Sequence, residues 1–352
     1  MCRHNIIITK EKNSAINKTN ILCAKIKDME NIFIFIFAMF MVIKGATMAT
    51  KYSAQLASNF HLSKYTIGFI IISCISILPE TFISINSALT GIPSFGLGTL
   101  FGGNIADLTI VFAVVILLAG REMKIESKII KNHKVYPFFL MLPLVLGFDG
   151  FLSRLEGIAL IIAGGVFYYL AFKDGNEINQ NLKNGKDKYK NFLMLLFSMA
   201  ILLIGSHFTV TSAVILANSF GVNPILIGMF IVGLGTTLPE LFFALKSIKK
   251  DDDSLAIGDI LGTVMADATI VVGILALINP FSFPREIIFI TGLFMVMASF
   301  ILFGFMNSGQ KISKRESFLL FLFWIFFVLV EFFASQSTEI LNNARELALS
   351  IF

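Results

Sequence analysis

Charge is what this sequence has least of. Only 14% of its 352 residues are Asp, Glu, Lys or Arg, where a soluble domain carries about a quarter. From Tyr65 to Gly120 there is no Lys or Arg at all. Cysteine is also scarce. Cys2 and Cys23 stand near the N-terminus and Cys74 in an apolar run, which excludes a disulfide framework and a cysteine-based zinc site. The net charge of +5 and pI near 9.0 do not imply nucleic acid as a partner. The basic residues fall in short loops, where they orient a membrane protein.

What is present is apolar surface. Hydrophobic residues make up 56% of the chain, mean hydropathy is +0.82, and Phe alone occurs 38 times. The apolar runs are long rather than alternating, so they read as helices. In lipid an unpaired backbone group is so costly that only helices or closed barrels cross, and a span takes about 20 residues. Ten segments emerge: 31–57, 66–90, 95–119, 135–148, 152–172, 191–219, 224–248, 254–279, 285–306 and 315–335, the fourth being short. The Lys-rich stretch 173–190 reads as a cytoplasmic linker between two five-helix halves, 31–172 and 191–335, leaving tails 1–30 and 336–352.

Connections 3–4 (Arg121, Lys124, Lys128, Lys131, Lys134), 5–6, 7–8 (Lys249, Lys250) and 9–10 (Lys311, Lys314, Arg315) are basic. Connections 4–5 and 8–9 hold only Arg154 and Arg285, and 2–3 and 6–7 none. The positive-inside rule therefore places both termini outside. The first 28 residues conflict with that placement, because they hold Arg3, Lys10, Lys12, Lys18, Lys25 and Lys27. They are not apolar enough for a secretory signal, so Met29 is expected to be the natural start.

An internal repeat is the strongest signal. With an offset of 160 residues, Ile67-Gly68 meets Ile227-Gly228, Leu78-Pro79-Glu80 meets Leu238-Pro239-Glu240, and Ser87 meets Ser247. Gly98 meets Gly258, Gly102 meets Gly262, Ala106-Asp107 meets Ala266-Asp267, and Thr109-Ile110-Val111 meets Thr269-Ile270-Val271. The step from Glu to Asp is 27 residues in both copies. A single Leu-Pro-Glu reads as a proline kink beside a glutamate; the same constellation twice, in register over about 40 residues, does not. Five helices per half make the second copy enter from the opposite side, an arrangement of secondary transporters with a midplane site. The expected fold is therefore an all-α membrane protein of about ten transmembrane helices in two inverted five-helix repeats.

The repeated residues suit a cation. Pro79 and Pro239 lack an N–H, so the carbonyls of Ile75 and Gly235 lose their helical donor. Broken helix at membrane depth is tolerated where it lines an enclosed cavity. Glu80 and Glu240 follow directly, Ser76, Thr236 and Thr237 add hydroxyls within a turn, and Asp107 and Asp267 approach from the next helices. Gly98, Gly102, Gly103, Gly258 and Gly262 allow close packing. These are hard oxygen ligands of the kind Ca²⁺ takes. No His or Cys belongs to the repeated set, against a zinc or copper preference. A buried carboxylate costs about 2.5–3.5 kcal/mol on insertion scales. No Lys or Arg in these helix cores can offset it, so bound cations are the better account.

Gly235-Thr236-Thr237-Leu238-Pro239-Glu240, followed by Gly258-Asp259-Ile260-Leu261-Gly262-Thr263-Val264-Met265-Ala266-Asp267, resembles the second α-repeat of the sodium/calcium exchanger family, within the cation/Ca²⁺ antiporters. Ser76-Ile77-Leu78-Pro79-Glu80 and Gly102-Gly103-Asn104-Ile105-Ala106-Asp107 resemble the first. The resemblance implies alternating access, with Ca²⁺ and Na⁺ sharing one cluster. Glu80 and Glu240 would be the principal Ca²⁺ ligands. Ser76, Thr236, Thr237, Thr263, Asp107 and Asp267 would complete the sites, with carbonyls near Ser73 and Gly233. No cofactor is implied beyond the transported ions. The implied partners are inorganic cations and the bilayer of the cell membrane, with no nucleic acid and no obligatory protein.

The departures bear on coupling. Ile77 stands where the family has a hydroxyl, Gly103 where it has Ser, and Thr263-Val264 where it has Ser-Asn. Asp107 replaces a usual Asn, giving four acids, and like charges that close oppose one another's ionisation. H⁺-coupled exchange of Ca²⁺, Mg²⁺ or Mn²⁺ is therefore the competing chemistry. Thr47 and His207 replace acids usual in the first and sixth helices, and His207 reads as a packing residue. Asp251-Asp252-Asp253 reads as a solvated loop capping the eighth helix. Two rivals from other classes are an intramembrane hydrolase using paired acids, for which no repeated nucleophile exists, and a sensor that keeps the fold without flux.

Overall fold

A computed structural model describes residues 29–53, 55–56, 67–125, 135–174 and 188–349. The basic N-terminal stretch 1–28, Lys128, Lys131 and Lys134 of the third connection, and Lys183 and Lys186 of the linker lie outside the described residues. Ten helices follow in order: α1 (Met29–Ser53), α2 (Ile67–Leu89), α3 (Pro93–Ala119), α4 (Tyr136–Leu146), α5 (Arg154–Asp174), α6 (Lys188–Phe220), α7 (Pro224–Ile248), α8 (Asp253–Ile278), α9 (Arg285–Asn307) and α10 (Lys314–Leu349). Among the described residues, nine are long and apolar enough to span a bilayer; α4 is not. Its 11 residues rise only about 16 Å, roughly half the hydrocarbon thickness. The last helix runs past the expected end near 335 to Leu349.

The helices form a centre and a periphery. In α3 and α8, 83% of the most apolar window is buried, against 22% in α5 and α10. The outer helices expose Phe37, Leu155, Phe197 and Phe333, surface that belongs against lipid. One apolar cluster joins α3, α8 and α4, α5, α9 and α10. A second, built on Met39, Val42, Ala46, Leu202, Val210 and Ala213, fastens α1 to α6 on the other side.

The two halves interlock by backbone contact, and four of the contacts obey the 160-residue offset. A Cβ on Gly102 of α3 would come within 3.0 Å of the Met229 carbonyl of α7; its counterpart Gly262 of α8 meets the Phe69 carbonyl of α2 in the same way. Gly68 similarly faces the Leu255 carbonyl and Gly228 the Phe95 carbonyl. Each α-repeat thus presses its Asp-bearing helix against the Glu-bearing helix of the other half. Gly98 also makes such a contact, with the Ile225 carbonyl at 2.8 Å from an added Cβ. Gly103 does not: its nearest neighbours would be ordinary contacts at 3.7 and 3.8 Å, so close packing is not the reason for glycine there.

Two short ribbons tie the halves at opposite faces. Met123 and Lys124 pair antiparallel with Ile312 and Lys311 on the face carrying the basic loops. Phe151 and Leu152 pair with Ser282 and Phe281 on the other face. On the basic face Arg121 also grips Asp253 bidentately, Nη1–Oδ2 2.8 Å and Nη2–Oδ1 2.6 Å, and the Lys124 backbone N–H donates to Asp253 at 2.8 Å. The acidic loop is therefore an inter-repeat clasp. The side chain of Asp252, at the N-cap of α8, makes no capping hydrogen bond.

Two measurements check this packing. Gly262→Ala forces a methyl group against backbone that cannot yield, and overpacking of that kind costs about 1–3 kcal/mol. Its melting temperature in detergent is expected to fall clearly, while Gly304→Ala, with open space around the added carbon, leaves it unchanged. Arg121→Ala is expected to lose roughly 1–3 kcal/mol, between the values for exposed and buried pairs. A melt indistinguishable from wild type would show the clasp to be idle.

Candidate cation site

The repeated residues converge where the central helices lose regularity. In α2 a π-helical stretch, Ile67–Ile72, leads to a short α-turn that stops at Ile77, and the helix restarts at Leu78. In α7 the stretch is Gly228–Val232 and the stop is Thr237. The cause is local: Pro79 and Pro239 supply no N–H, so the preceding turn cannot close as an α-helix. In α3 and α8, π-helical stretches begin at the acids themselves, Asp107–Val111 and Asp267–Val271. The repeated threonines repair the backbone there. Thr109 Oγ1 donates to the Ile105 carbonyl at 2.5 Å and Thr269 Oγ1 to the Met265 carbonyl at 2.6 Å. Insertions of this kind are frequent at functional sites.

The four expected acids are almost sealed from solvent: Glu80 is 3% exposed, Asp107 2%, Glu240 1% and Asp267 1%. They form one electrostatic group, since Asp107, Glu240 and Asp267 all lie within Coulombic reach of Glu80. Thr236, from the opposite repeat, stands beside the Glu80 carboxylate. Oxygens of all four are buried without a hydrogen-bond partner: Glu80 Oε2, Asp107 Oδ1, both oxygens of Glu240, and Asp267 Oδ1. Burying such atoms unsatisfied is costly, and neither Lys nor Arg occurs at 67–119, 224–245 or 253–278.

Two of the expected hydroxyls, and that of Ser73, are arranged as acceptors. Thr236 Oγ1 donates to the Gly233 carbonyl and Thr237 Oγ1 to that of Leu234, both at 3.0 Å. Ser73 Oγ donates to the Phe69 carbonyl. With their protons spent on the backbone, these oxygens keep lone pairs for a cation. Thr263 Oγ1 is buried and unpartnered. The two expected carbonyls differ. Ser73 accepts the Ile77 N–H at 3.0 Å, whereas Gly233 accepts both the Thr237 N–H at 3.2 Å and the Thr236 hydroxyl, so Ser73 is the freer ligand. Among the described residues, no three His, Cys, Asp or Glu side chains converge tightly enough to hold one metal ion. A Ca²⁺ ion here would draw its six to eight oxygens from carboxylates, hydroxyls and carbonyls together.

Both positions set aside in the sequence lie off this cluster. Thr47 bonds the Ile43 carbonyl of its own helix at 2.7 Å. His207 is exposed on α6, its ring against Phe208; it does not pack into the interior.

A family model described as "Sodium/calcium exchanger protein" matches residues 30–173 and again 190–333. The chain belongs to the sodium/calcium exchanger family. Membership makes it a membrane transporter and not an enzyme. The sodium/calcium exchanger MaX1 of Methanosarcina acetivorans is 25% identical over 348 residues, covering 86% of this chain and 99% of that protein. Among solved structures, the sodium-calcium exchanger NCX_Mj soaked with 10 mM Na⁺ and zero Ca²⁺ superposes with a TM-score of 0.65 at 22% identity, over 86% of this chain and 99% of that one. The H⁺/Ca²⁺ exchanger CAX superposes with a TM-score of 0.73 at 15% identity, over 90% and 88%. The backbone is thus similar to exchangers of both coupling types.

Three further polar features of this exchanger escaped the reading of the repeat. Asp259 of α8 is fully buried and accepts a 2.9 Å bond from Ser76 Oγ of α2. Tyr168 of α5 and Tyr136 of α4 donate to the adjacent carbonyls of Gly262 and Leu261 at 2.8 and 2.6 Å, pinning α8. Glu331 of α10 is buried away from the four acids, beside Thr291. Of these, Asp259 and Glu331 had a visible signal, each as an acid inside an apolar segment. Glu240→Gln is expected to weaken Ca²⁺ binding about 100-fold, since affinity follows ligand charge, whereas Glu331→Gln leaves it unchanged. Calorimetry on the purified chain separates the two.

Proposed function

We propose that this chain is an antiporter that exchanges Ca²⁺ for Na⁺ across the cell membrane by alternating access at the Glu80–Glu240 cluster. The observation that carries the reading is the chemistry of the buried set. Four carboxylates with unpartnered oxygens face hydroxyls whose protons point away, and neither Lys nor Arg occurs at 67–119, 224–245 or 253–278 around them. A hard divalent cation satisfies that set, and several monovalent ions can replace it without stranding charge. Glu80 and Glu240 are the principal ligands in this reading. Asp107, Asp267, Ser76, Thr236, Thr237, Thr263 and the Ser73 carbonyl complete the sites, while Gly233 joins only if its carbonyl sheds a present donor. MaX1, whose name states sodium/calcium exchange, is similar over nearly its whole length.

H⁺-coupled exchange is the second reading, favoured by specific residues. Ile77 and Gly103 offer no hydroxyl where the other repeat has Thr237 and Thr263, and Asp107 supplies a fourth acid. A hydroxyl fits at position 103, because a Cβ on Gly103 meets only ordinary contacts.

Ca²⁺ uptake into proteoliposomes tests both. An outward Na⁺ gradient is expected to drive uptake that survives a protonophore and disappears in Glu240→Gln. Ile77→Ser combined with Gly103→Ser is expected to raise Na⁺ affinity several-fold. Uptake driven only by a pH gradient would transfer the coupling to protons, and no Ca²⁺ movement under either gradient would refute Ca²⁺ exchange.

A further inference from the structure

The 160-residue offset that matches the backbone contacts fails at one buried pair. Positions 99 and 236 are Thr99 and Thr236, and each bonds a carbonyl of its own helix, Thr99 to Phe95 and Thr236 to Gly233, both at 3.0 Å. Their counterparts 259 and 76 are Asp259 and Ser76, which bond each other across the α2–α8 contact at 2.9 Å. The repeat thus places an additional acid on one flank of the cavity and a neutral hydroxyl on the other.

Asp259 is not a surface charge turned inward. It is 0% exposed, its Oδ1 is engaged by Ser76, and its Oδ2 is buried with no partner. It lies within Coulombic reach of Glu80, Asp107 and Glu240, so it belongs to the same electrostatic group. Ser76 donates its only proton to Oδ1 and turns its lone pairs outward. A carboxylate oxygen and a hydroxyl oxygen therefore stand together at the α2–α8 contact, one turn of α2 from Glu80. Ile77, the next residue of α2 after Ser76, carries no hydroxyl.

We propose that Asp259 is a fifth charged ligand of the transport cavity, holding one monovalent cation together with Ser76 Oγ. The inference rests on the exchanger reading and adds to it. The loaded cavity takes up one more positive charge than its four repeated acids require, and the additional ion sits on the α2–α8 flank. Asp259 thereby sets how many monovalent cations accompany each exchange.

The test is equilibrium binding of radioactive Na⁺ to the purified full chain without Ca²⁺, with K⁺ and Li⁺ as competitors. Asp259→Asn keeps the shape and the acceptor for Ser76 but removes the charge. It is expected to bind one Na⁺ fewer per chain, with Ca²⁺ affinity within about threefold of wild type, and to move one charge fewer per Ca²⁺ in reversal-potential measurements. Ser76→Ala, which retains the carboxylate, is expected to keep the number of bound ions and weaken one of them; it serves if the Asn variant does not fold. Thr99→Ala, at the matching position, changes neither. An unchanged number of bound Na⁺ in Asp259→Asn would overturn the proposal and leave Asp259 as a bond between helices. So would a wild type that binds no monovalent cation, or a loss of one released proton on Ca²⁺ binding in place of one Na⁺. None of these outcomes removes Ca²⁺ exchange itself, which fails only when wild-type flux is absent under both gradients.

Discussion

Backbone-to-backbone contact between the two halves is the constraint on which the rest depends. At Gly68, Gly102, Gly228 and Gly262 a helix approaches the carbonyl of its neighbour more closely than a Cβ permits. In a bilayer the hydrophobic effect does little to hold helix against helix, so small residues and close dispersion contacts must. The four contacts bring Asp107 of one half against the Glu240 helix of the other, and Asp267 against the Glu80 helix. A single cavity shared by both repeats follows from that crossing. Two separate sites, one in each half, would need the opposite pairing.

The carboxylates are the second constraint, and they oppose the first. Close packing excludes water, and dry carboxylates repel one another and lose hydration. Proteins normally offset such a cost with Arg or Lys, as Arg121 does for Asp253 at the edge of the membrane. Neither Lys nor Arg occurs at 67–119, 224–245 or 253–278. The helix breaks then have a clear use. They present hydroxyls whose protons are spent on backbone carbonyls of their own helices, leaving oxygen lone pairs for a cation. An interior built this way is stable with a cation inside it and stressed without one, which is the energetic requirement for transporting ions and not merely enclosing them.

Much of this was legible in the sequence, for a physical reason. Helices in lipid must be long and apolar, and their breaks must be repeated if the fold is duplicated. Leu-Pro-Glu and Ala-Asp therefore stood out against a background almost free of charge. The misses have equally particular causes. Asp259 was passed over because a comparison of repeats keeps what is shared, and its counterpart is Thr99. Gly103 was read as a packing glycine because every other glycine in those helices looked like one, and only the measured space around it tells them apart. Gly233's doubly engaged carbonyl and the Tyr136 and Tyr168 bonds to α8 depend on side-chain orientation, which no spacing rule contains. The short α4 was visible as a weak hydrophobic run, but its place against α9, tied in by Tyr136 bonding α8, is a tertiary fact.

Symmetry and its violation have different roles here. The contacts at Gly68, Gly102, Gly228 and Gly262 keep the offset, so exchanging the conformations of the two halves would preserve this central packing, open to the opposite side. That equivalence is what an inverted repeat contributes to alternating access. The side chains depart from it at several positions. The second half has Thr237, Thr263 and Asp259 where the first has Ile77, Gly103 and Thr99. Only the first half has tyrosines, at 136 and 168, reaching into its partner's α8; the matching positions are Val296 and Val328. α8 thus carries two of the five buried acids, Asp259 and Asp267, and its backbone is tied by both tyrosines. A helix that carries two of the charged groups benefits from being fixed, because its oxygens then keep their spacing. The asymmetry therefore tethers two halves of equal architecture unequally: α8 is tied by both tyrosines, while α2 and α7 are interrupted at Ile77 and Thr237.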